Sequence, residues 1–157
     1  MSSIKQTDPV SIKSISLSTR TALISAFLWI NVSEVFRYFM FVMPMTRAAM
    51  RQVSDPAPMN LPVFLIWGVW DMLLFACVSF VVWLYFERFG GGAASIVKVG
   101  TLVWVAIFGL FWIATWNMNM TQTVIPLVAL PLAWLEMTIT AAILEYGWRC
   151  SRSTEAR

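Results

Sequence analysis

Residues 61–85, LPVFLIWGVWDMLLFACVSFVVWLY, decide the fold class of this chain. Asp71 is the one charged residue in the stretch. At about 1.5 Å of rise per residue, a helix of this length crosses a hydrocarbon layer about 30 Å thick. The stretch therefore predicts a transmembrane helix, and Pro62 is suited to its first turn.

Three more segments have the same apolar character, at about 21–43, 97–116 and 123–147. Polar or glycine-rich turns separate the four segments: Asp55-Pro56-Ala57-Pro58, Gly90-Gly91-Gly92 and Asn117-Met118-Asn119-Met120. The short last turn favours an antiparallel pair of helices. We predict an all-α membrane protein, a four-transmembrane-helix bundle of two antiparallel hairpins. Pro126 and Pro131 predict a kink in the first half of the fourth helix.

The composition supports a membrane protein and excludes several classes of chemistry. Hydrophobic residues make up 59% of the 157 residues, and charged residues 12%, against about 25% in soluble domains. The lipid bilayer is thus a predicted partner, whereas nucleic acid is not, since the basic residues form no patch with exposed aromatics. The chain has no histidine, which excludes His-ligated haem, His-ligated zinc and Ser-His-Asp catalysis within it. We predict no cofactor.

Lysine and arginine are unevenly distributed between the two sides of the predicted bundle. Eight lie in the terminal tails and the second loop, and two lie on the other side, in the first loop. The positive-inside rule then predicts that both termini are cytoplasmic, in a bacterial inner membrane. The predicted organisation is a cytoplasmic tail over 1–20, a transmembrane domain over 21–147 and a cytoplasmic tail over 148–157. The residues counted are Lys5, Lys13, Arg20, Arg88, Lys98, Arg149, Arg152 and Arg157, against Arg47 and Arg51.

Ionisable residues inside the predicted helices form the candidate site. A charge at the centre of a membrane helix costs roughly 2.5 to 3.5 kcal/mol, so each one needs a reason. At about 1.5 Å per residue, Glu34, Asp71 and Glu136 lie roughly 14, 15 and 20 Å from the outer ends of their predicted helices. The candidate residues for binding a ligand or a proton are Asn31, Glu34, Arg37, Tyr38, Asp71 and Glu136.

The charges of these residues do not balance, because three acids face one guanidinium. If all four face one interior, either a carboxyl group holds a proton or a cation completes the set. Both outcomes would be functional. The alternative is a fixed polar lock, in which Glu34 pairs with Arg37 or Asp71 between helices one and two, and Glu136 reaches water or another subunit.

Aromatic and methionine residues provide weaker candidates. Trp67, Trp104, Trp112 and Trp134 are candidate cavity-lining residues, since such rings can hold an organic cation, although packing is the ordinary role of aromatics at helical spacing. Thioethers at the predicted outer face suit Cu(I), but no His or Cys accompanies them there, so copper is a minor alternative to our prediction that no metal is bound. The thioethers considered are those of Met43, Met45, Met118 and Met120.

The leading hypothesis is a small membrane protein that binds, and by extension transports, a small cationic or amphipathic solute with proton coupling. Four short helices enclose little volume, so a homo-oligomer or a membrane-protein partner is expected. The rival is a non-catalytic structural or assembly subunit whose polar residues lock the helices together. An enzyme that acts on lipid or quinone through its carboxylates ranks lowest, because no nucleophile or cofactor motif can be named.

Overall fold

The computed structural model describes residues 17–51 and 59–155, and these residues are all-helical. Within them, four helices are long and apolar enough to cross a membrane, which fits an α-helical bundle and a membrane protein. Most of the predicted tail 1–20, including Lys5 and Lys13, lies outside the described residues. The loop 55–58 and Arg157 lie outside them as well.

The four helices are named α1 to α4 in chain order. Helix α1 consists of α-helical Leu17–Arg37 and Met43–Ala49 with a π-helical stretch, Tyr38–Val42, between them. Helix α2 is Leu61–Phe89. Helix α3 consists of α-helical Ala93–Trp104 and Leu110–Asn117 with a π-helical stretch, Val105–Gly109, between them. Helix α4 is Val124–Glu155. Each overlaps one predicted segment, but α1 continues six residues past its predicted end at residue 43, and α4 continues eight residues past its predicted end at residue 147, into the predicted tail.

The ends of α2 follow from local chemistry. The Asn60 side chain accepts a hydrogen bond of 3.1 Å from the Val63 N–H, which satisfies one of the free donors of the first turn. Pro62 lies in that turn, where no N–H is needed. At the other end, Gly90 takes φ 78° and Gly92 takes φ 121°, which side chains with a Cβ rarely adopt. The glycines therefore allow the chain to leave α2 and begin α3 within three residues.

Helix α4 is the central element of the bundle. It packs most extensively against α1 and against the first part of α3, and it also contacts α2. Small residues such as Ala133 and Ala141 are fully buried on it, which lets neighbouring backbones approach closely. The Thr19 hydroxyl donates to the Gly147 carbonyl at 3.3 Å, and the Trp29 indole donates to the Glu136 carbonyl at 3.2 Å. From Thr19 to Trp29 the residue numbers on α1 rise, while those of their partners on α4 fall from Gly147 to Glu136. Helices α1 and α4 therefore run antiparallel.

The prolines of α4 do not interrupt it. The helix stays α-helical through Pro131, whose side chain is exposed. Among the described helices, the departures from α-helical geometry lie instead in α1 and α3, at the two π-helical stretches. The kink predicted from Pro126 and Pro131 therefore has no counterpart in the secondary structure of α4.

Large apolar side chains cover the outside of the bundle. In water such a surface would be a large exposed patch, whereas lipid tails solvate it without cost. This exterior agrees with the four apolar helices in indicating a bilayer as the solvent. On α2 alone the exposed side chains include Phe64, Leu65, Ile66, Val69, Leu73 and Phe80.

Gly100 marks a close approach of α3 to α4 that can be tested. A Cβ at this position would lie 2.8 Å from the Thr138 Cα, a backbone atom that cannot move alone. We expect Gly100→Ala to lower the free energy of unfolding by about 1–3 kcal/mol, because the helices must separate. The matched control is Gly68→Ala on α2, where a Cβ meets nothing within 4 Å. Thermal unfolding in detergent measures both, and equal stability of the two variants would contradict the close packing.

Candidate functional site

Four ionisable side chains from three helices converge inside the bundle. Helix α1 supplies Glu34 and Arg37, α2 supplies Asp71, and α4 supplies Glu136. Arg37 is 6% exposed, Asp71 7% and Glu136 2%. A set of charges this deeply buried is costly unless its members pair with one another or with a ligand.

Arg37 is the centre of this group. Its guanidinium hydrogen-bonds to the Glu34 carboxylate one turn away on the same helix. A guanidinium nitrogen also lies 3.7 Å from an oxygen of Glu136 on α4. The guanidinium carbon lies 4.6 Å from the centre of the Phe108 ring on α3, a cation–π contact. Arg37 therefore contacts side chains of three helices.

The carboxyl groups have more hydrogen-bonding capacity than Arg37 satisfies. Asp71 interacts electrostatically with both Glu34 and Arg37, and Glu136 interacts with all three of the other groups. Yet Asp71 Oδ1 and Glu136 Oε1 are buried and accept no hydrogen bond from any residue that the structure describes. Such orphaned acceptors are rare in folded proteins and call for an explanation. The group can therefore accept a further positive charge or proton.

A cleft of about 780 Å³ extends from this group toward the surface. Its volume lies within the range of about 300–1,000 Å³ typical of small-molecule sites. Glu34 and Arg37 line it, so the acidic group is accessible from the cleft through α1. The remaining lining residues are Tyr38, Val42, Ile66, Trp67, Trp70, Leu74, Ala106, Ile107, Phe108, Phe111, Trp112 and Ala129.

Both π-helical stretches border this cleft. Tyr38 and Val42 belong to the stretch in α1, and Ala106, Ile107 and Phe108 to the stretch in α3. A π-helical turn contains an extra residue, which changes the direction of the side chains that follow, and such turns are frequent at functional sites. Here the stretch in α1 begins directly after Arg37, and the stretch in α3 contains Phe108, whose ring Arg37 contacts.

The cleft lies where α2 and the second part of α3 are not in extensive contact. Helix α2 packs against α3 chiefly over Ala93–Trp104, near their connection, and the cleft is lined by residues beyond that contact. At its mouth, Ile66 is 70% exposed, Trp70 55% and Phe111 56%. These residues are apolar, so the mouth faces surroundings of the same kind as the rest of the bundle's exterior.

The opposite end of the bundle is closed by polar contacts from α4. The buried Glu145 carboxylate accepts a hydrogen bond of 2.9 Å from the Gly92 N–H at the start of α3, and it also pairs with Arg149. At the end of α2, Glu87 accepts hydrogen bonds from the Trp148 indole at 2.8 Å and from Arg152 at 3.0 Å. The three helices are therefore tied together at this end, while the cleft separates α2 from α3 at the other.

The sequence-predicted residues divide between the cleft and other contacts. Tyr38, Trp67 and Trp112 line the cleft, and the rings of Tyr38 and Trp67 lie 5.6 Å apart. Asn31 instead donates to the Phe27 carbonyl of its own helix at 2.8 Å. Asp71 and Glu136 lie behind the cleft wall rather than on it.

Two predicted cavity tryptophans connect helices instead of lining the cleft. The Trp104 indole donates to the Leu130 carbonyl at 2.8 Å, and the Trp134 indole donates to the Thr101 hydroxyl at 3.0 Å. Both bonds join α3 to α4. Both rings are partly buried. Their aromatic character in the sequence did not distinguish a ring that bridges two helices from one that lines the cleft.

The methionines named for copper lie near the ends of the helices that are opposite the two chain termini. Met118 and Met120 are exposed, and Met43 and Met45 are partly buried in the last part of α1. Within residues 17–51 and 59–155, no group of three or more Cys, Asp or Glu side chains is arranged to hold a metal ion. The copper alternative stays a prediction.

Trp70 and Phe111 were not identified from the sequence, and Phe108, on the same helical stripe as Trp104 and Trp112, is predicted only as a packing or cation-holding ring. Phe108 contacts Arg37, and Trp70 and Phe111 form the mouth of the cleft. Trp70 is adjacent to the predicted residue Asp71, Phe111 is adjacent to the predicted residue Trp112, and Phe108 lies one turn before Trp112. These positions are the only signal that the sequence offers for them. Which face of each helix turns inward depends on packing against α4.

Comparison of the chain with protein-family models, with curated proteins and with solved structures finds no match. The functional conclusion therefore rests on the chemistry of the site alone.

Proposed function

We propose that this protein binds a small cationic or amphipathic solute at Glu34 and transports it across the membrane in exchange for protons. One observation carries the proposal: two buried acids, a buried guanidinium and the half-buried Glu34 lie together beside a cleft large enough for an organic molecule. Ionisable residues inside membrane helices are rare, and they commonly mark ion pathways or proton relays. A solute cation at Glu34 would supply positive charge to a group in which the acids outnumber the one guanidinium.

Proton coupling follows from the same charge count. With Glu34, Asp71 and Glu136 all ionised, Arg37 would leave the group with a net charge of two negative units inside an apolar bundle. A bound proton or a bound cation reduces that charge, so the two compete for the same carboxylates. Helix α3 contributes no ionisable side chain here, only the Phe108 ring. Competition of this kind is the basis of proton-coupled exchange.

The proposal includes the placement of the protein. We place both termini in the cytoplasm of a bacterium and the bundle in its inner membrane, because eight of the ten loop and tail cations lie on one side. In this orientation the cleft opens in the outer half of the bundle, and the Glu145 and Glu87 contacts close the inner end. A homo-oligomer is expected for transport, and we propose the two-hairpin arrangement for each copy.

A structural or assembly subunit is the second candidate. The observation that favours it is Arg37, which contacts Glu34, Glu136 and Phe108 at once, as a fixed polar lock between helices would. Such locks stabilise membrane bundles without binding anything. The orphaned oxygens of Asp71 and Glu136 argue for the first candidate, because a lock that has no other role should satisfy its own members.

Replacing Glu34 by glutamine separates the two candidates. The change removes the acid that reaches the cleft, and we expect the binding of dodecyltrimethylammonium to weaken at least tenfold. Equilibrium dialysis of protein in phosphatidylglycerol nanodiscs, corrected with empty nanodiscs, measures the binding. Glu87→Gln is the matched control, because Glu87 is exposed and lies at the far end of the bundle.

A charge-conserving variant and the size of native complexes complete the experiment. Glu34→Asp keeps the charge and should restore most of the binding, which shows that loss in Glu34→Gln is not misfolding. If Glu34→Gln binds the probe as the wild type does, the solute site is wrongly placed. A change in the mass of complexes extracted from the native membrane, with binding unaltered, would support the assembly role instead.

A further inference from the structure

The direction from which a molecule reaches Glu34 is set by the opening between α2 and α3. These helices are in contact over Ala93–Trp104 and are separated by the cleft farther along α3. The residues that line the cleft all lie within the four spans that are long and apolar enough to cross a membrane, so in a bilayer this part of the bundle faces lipid. A molecule dissolved in the lipid can therefore reach the cleft without passing through water.

The cleft is divided between a charged inner part and an apolar outer part. Glu34 and Arg37 on α1 are its charged lining residues. The outer wall is made of apolar and aromatic side chains of α2 and α3, among them Ile66, Trp70 and Phe111. A ligand that fills both parts must combine a charged group with an apolar body.

The sign of the charged group follows from the residues behind it. Arg37 already contacts Glu34, Glu136 and the Phe108 ring, so its guanidinium is engaged on several sides. The acids outnumber it, and Asp71 Oδ1 and Glu136 Oε1, on side chains more than nine-tenths buried, accept no hydrogen bond from the described residues. An anion would add to this excess, whereas a cation would offset it.

We propose that the cleft takes a membrane-dissolved amphiphile, whose cationic head lies at Glu34 and whose apolar body lies between α2 and α3. This inference rests on the proposed function and narrows its solute to one chemical class and one route. The aromatic rings of Trp67 and Trp112 provide faces for a quaternary ammonium group, as in other sites for such cations. A hydrophilic cation of the same head group would lack the contacts of the outer part.

A pair of probes with the same head group tests the class of ligand. Dodecyltrimethylammonium and tetramethylammonium differ only in the apolar tail, and burying each methylene from water contributes about fourfold in affinity. We expect the dodecyl probe to bind to the protein in nanodiscs at least 100-fold more tightly than tetramethylammonium, after its uptake by empty nanodiscs is subtracted.

Phosphatidylcholine carries the same trimethylammonium group, so nanodiscs of this lipid and of phosphatidylglycerol distinguish a lipid head group from a free amphiphile. Weaker probe binding in phosphatidylcholine would identify the lipid as an occupant of the cleft, and equal binding would assign the site to the free amphiphile.

A variant of the cleft wall tests the route. Ala106 lines the cleft and is exposed, so Ala106→Phe places a ring in its opening. Ala114→Phe is the control, because Ala114 is exposed on the same helix but does not line the cleft. We expect Ala106→Phe to weaken binding of the dodecyl probe at least tenfold and Ala114→Phe to leave it unchanged.

The outcomes distinguish this inference from the proposed function. The two probes could bind equally tightly, with binding that depends on Glu34 and is unchanged in Ala106→Phe. That result would overturn the amphiphilic ligand and the lateral route but would leave a cation site at Glu34. Binding of the dodecyl probe that is indifferent to Glu34→Gln would overturn the proposed site itself. Loss of binding in Ala106→Phe with normal thermal stability supports the inference.

Discussion

Replacing Arg37 by methionine is expected to cost about 3–5 kcal/mol of folding free energy, the largest effect of any single change in this bundle. Methionine keeps much of the side-chain volume but removes the one cation among three acids. Glu34 and Glu136 would then lose their ion pairs while staying buried between the helices. Unfolding in detergent with increasing dodecyl sulfate, followed by circular dichroism, measures the loss.

Compensating changes distinguish a charge effect from a packing effect. Adding Glu136→Gln to Arg37→Met removes one uncompensated acid, so the double variant should be more stable than Arg37→Met alone. Arg88→Met is the matched control, because Arg88 is exposed at the end of α2 and should contribute little. If Arg37→Met were as stable as the control, the buried charge network would not exist as described.

The second large effect is expected at the closed end, from Glu145→Ala. The Glu145 carboxylate is buried, accepts the Gly92 N–H and pairs with Arg149. Without it, the Gly92 N–H and the connection between α2 and α3 lose their tie to α4. A hydrogen bond to a charged group contributes about 1.5–3 kcal/mol, and this is the loss that we expect. We also expect faster amide hydrogen exchange at residues 90–96, measured by mass spectrometry.

The conservative variant and a neighbouring acid provide the controls. Glu145→Gln keeps an acceptor oxygen for the Gly92 N–H and should retain most of the stability, although it loses the ion pair with Arg149. Glu87→Gln alters an exposed ion pair at the same end and should have a small effect. Equal exchange at residues 90–96 in the wild type and in Glu145→Ala would show that Glu145 does not hold this connection.

The helices were predictable from the sequence because each depends on local composition. A long apolar stretch with a single charged residue, such as 61–85, predicts a membrane helix, and the glycines at 90–92 end it for conformational reasons that need no tertiary contact. The end of α1 was less accessible. Its last part contains Pro44 and Arg47, which suggest a loop, yet the helix continues to Ala49 after its π-helical stretch.

That extension changes the depth assigned to Arg37. Counted from Ala49, Arg37 lies twelve residues, or about 18 Å, inside α1. Glu136 lies twelve residues inside α4, counted from Val124, and therefore at about the same depth. The sequence-based depths placed Glu136 about a turn deeper, because they used a helix end at residue 43. The depth of a residue in a helix is counted from the helix end, so an error in the predicted end gives an equal error in the predicted depth.

The faces of the helices were not predictable in the same way. Trp104 and Trp112 are eight residues apart on α3, and the sequence does not distinguish their roles. In the structure, Trp112 lines the cleft while Trp104 donates a hydrogen bond to α4. The π-helical stretch between them shifts the angular register of the helix. A regular 3.6-residue period cannot anticipate that shift, nor the contact of Phe108 with Arg37.

The central claim is that a cation and a proton compete for the buried carboxylates. Isothermal titration of the protein in nanodiscs with dodecyltrimethylammonium, in two buffers of different ionisation enthalpy, measures the protons exchanged on binding. Empty nanodiscs correct for the heat of partition. We predict that the wild type and Glu87→Gln release a proton as the cation binds, and that Glu34→Gln loses most of the binding. Binding with no proton released, and with equal affinity in Glu34→Gln, Asp71→Asn and Glu136→Gln, would contradict the claim.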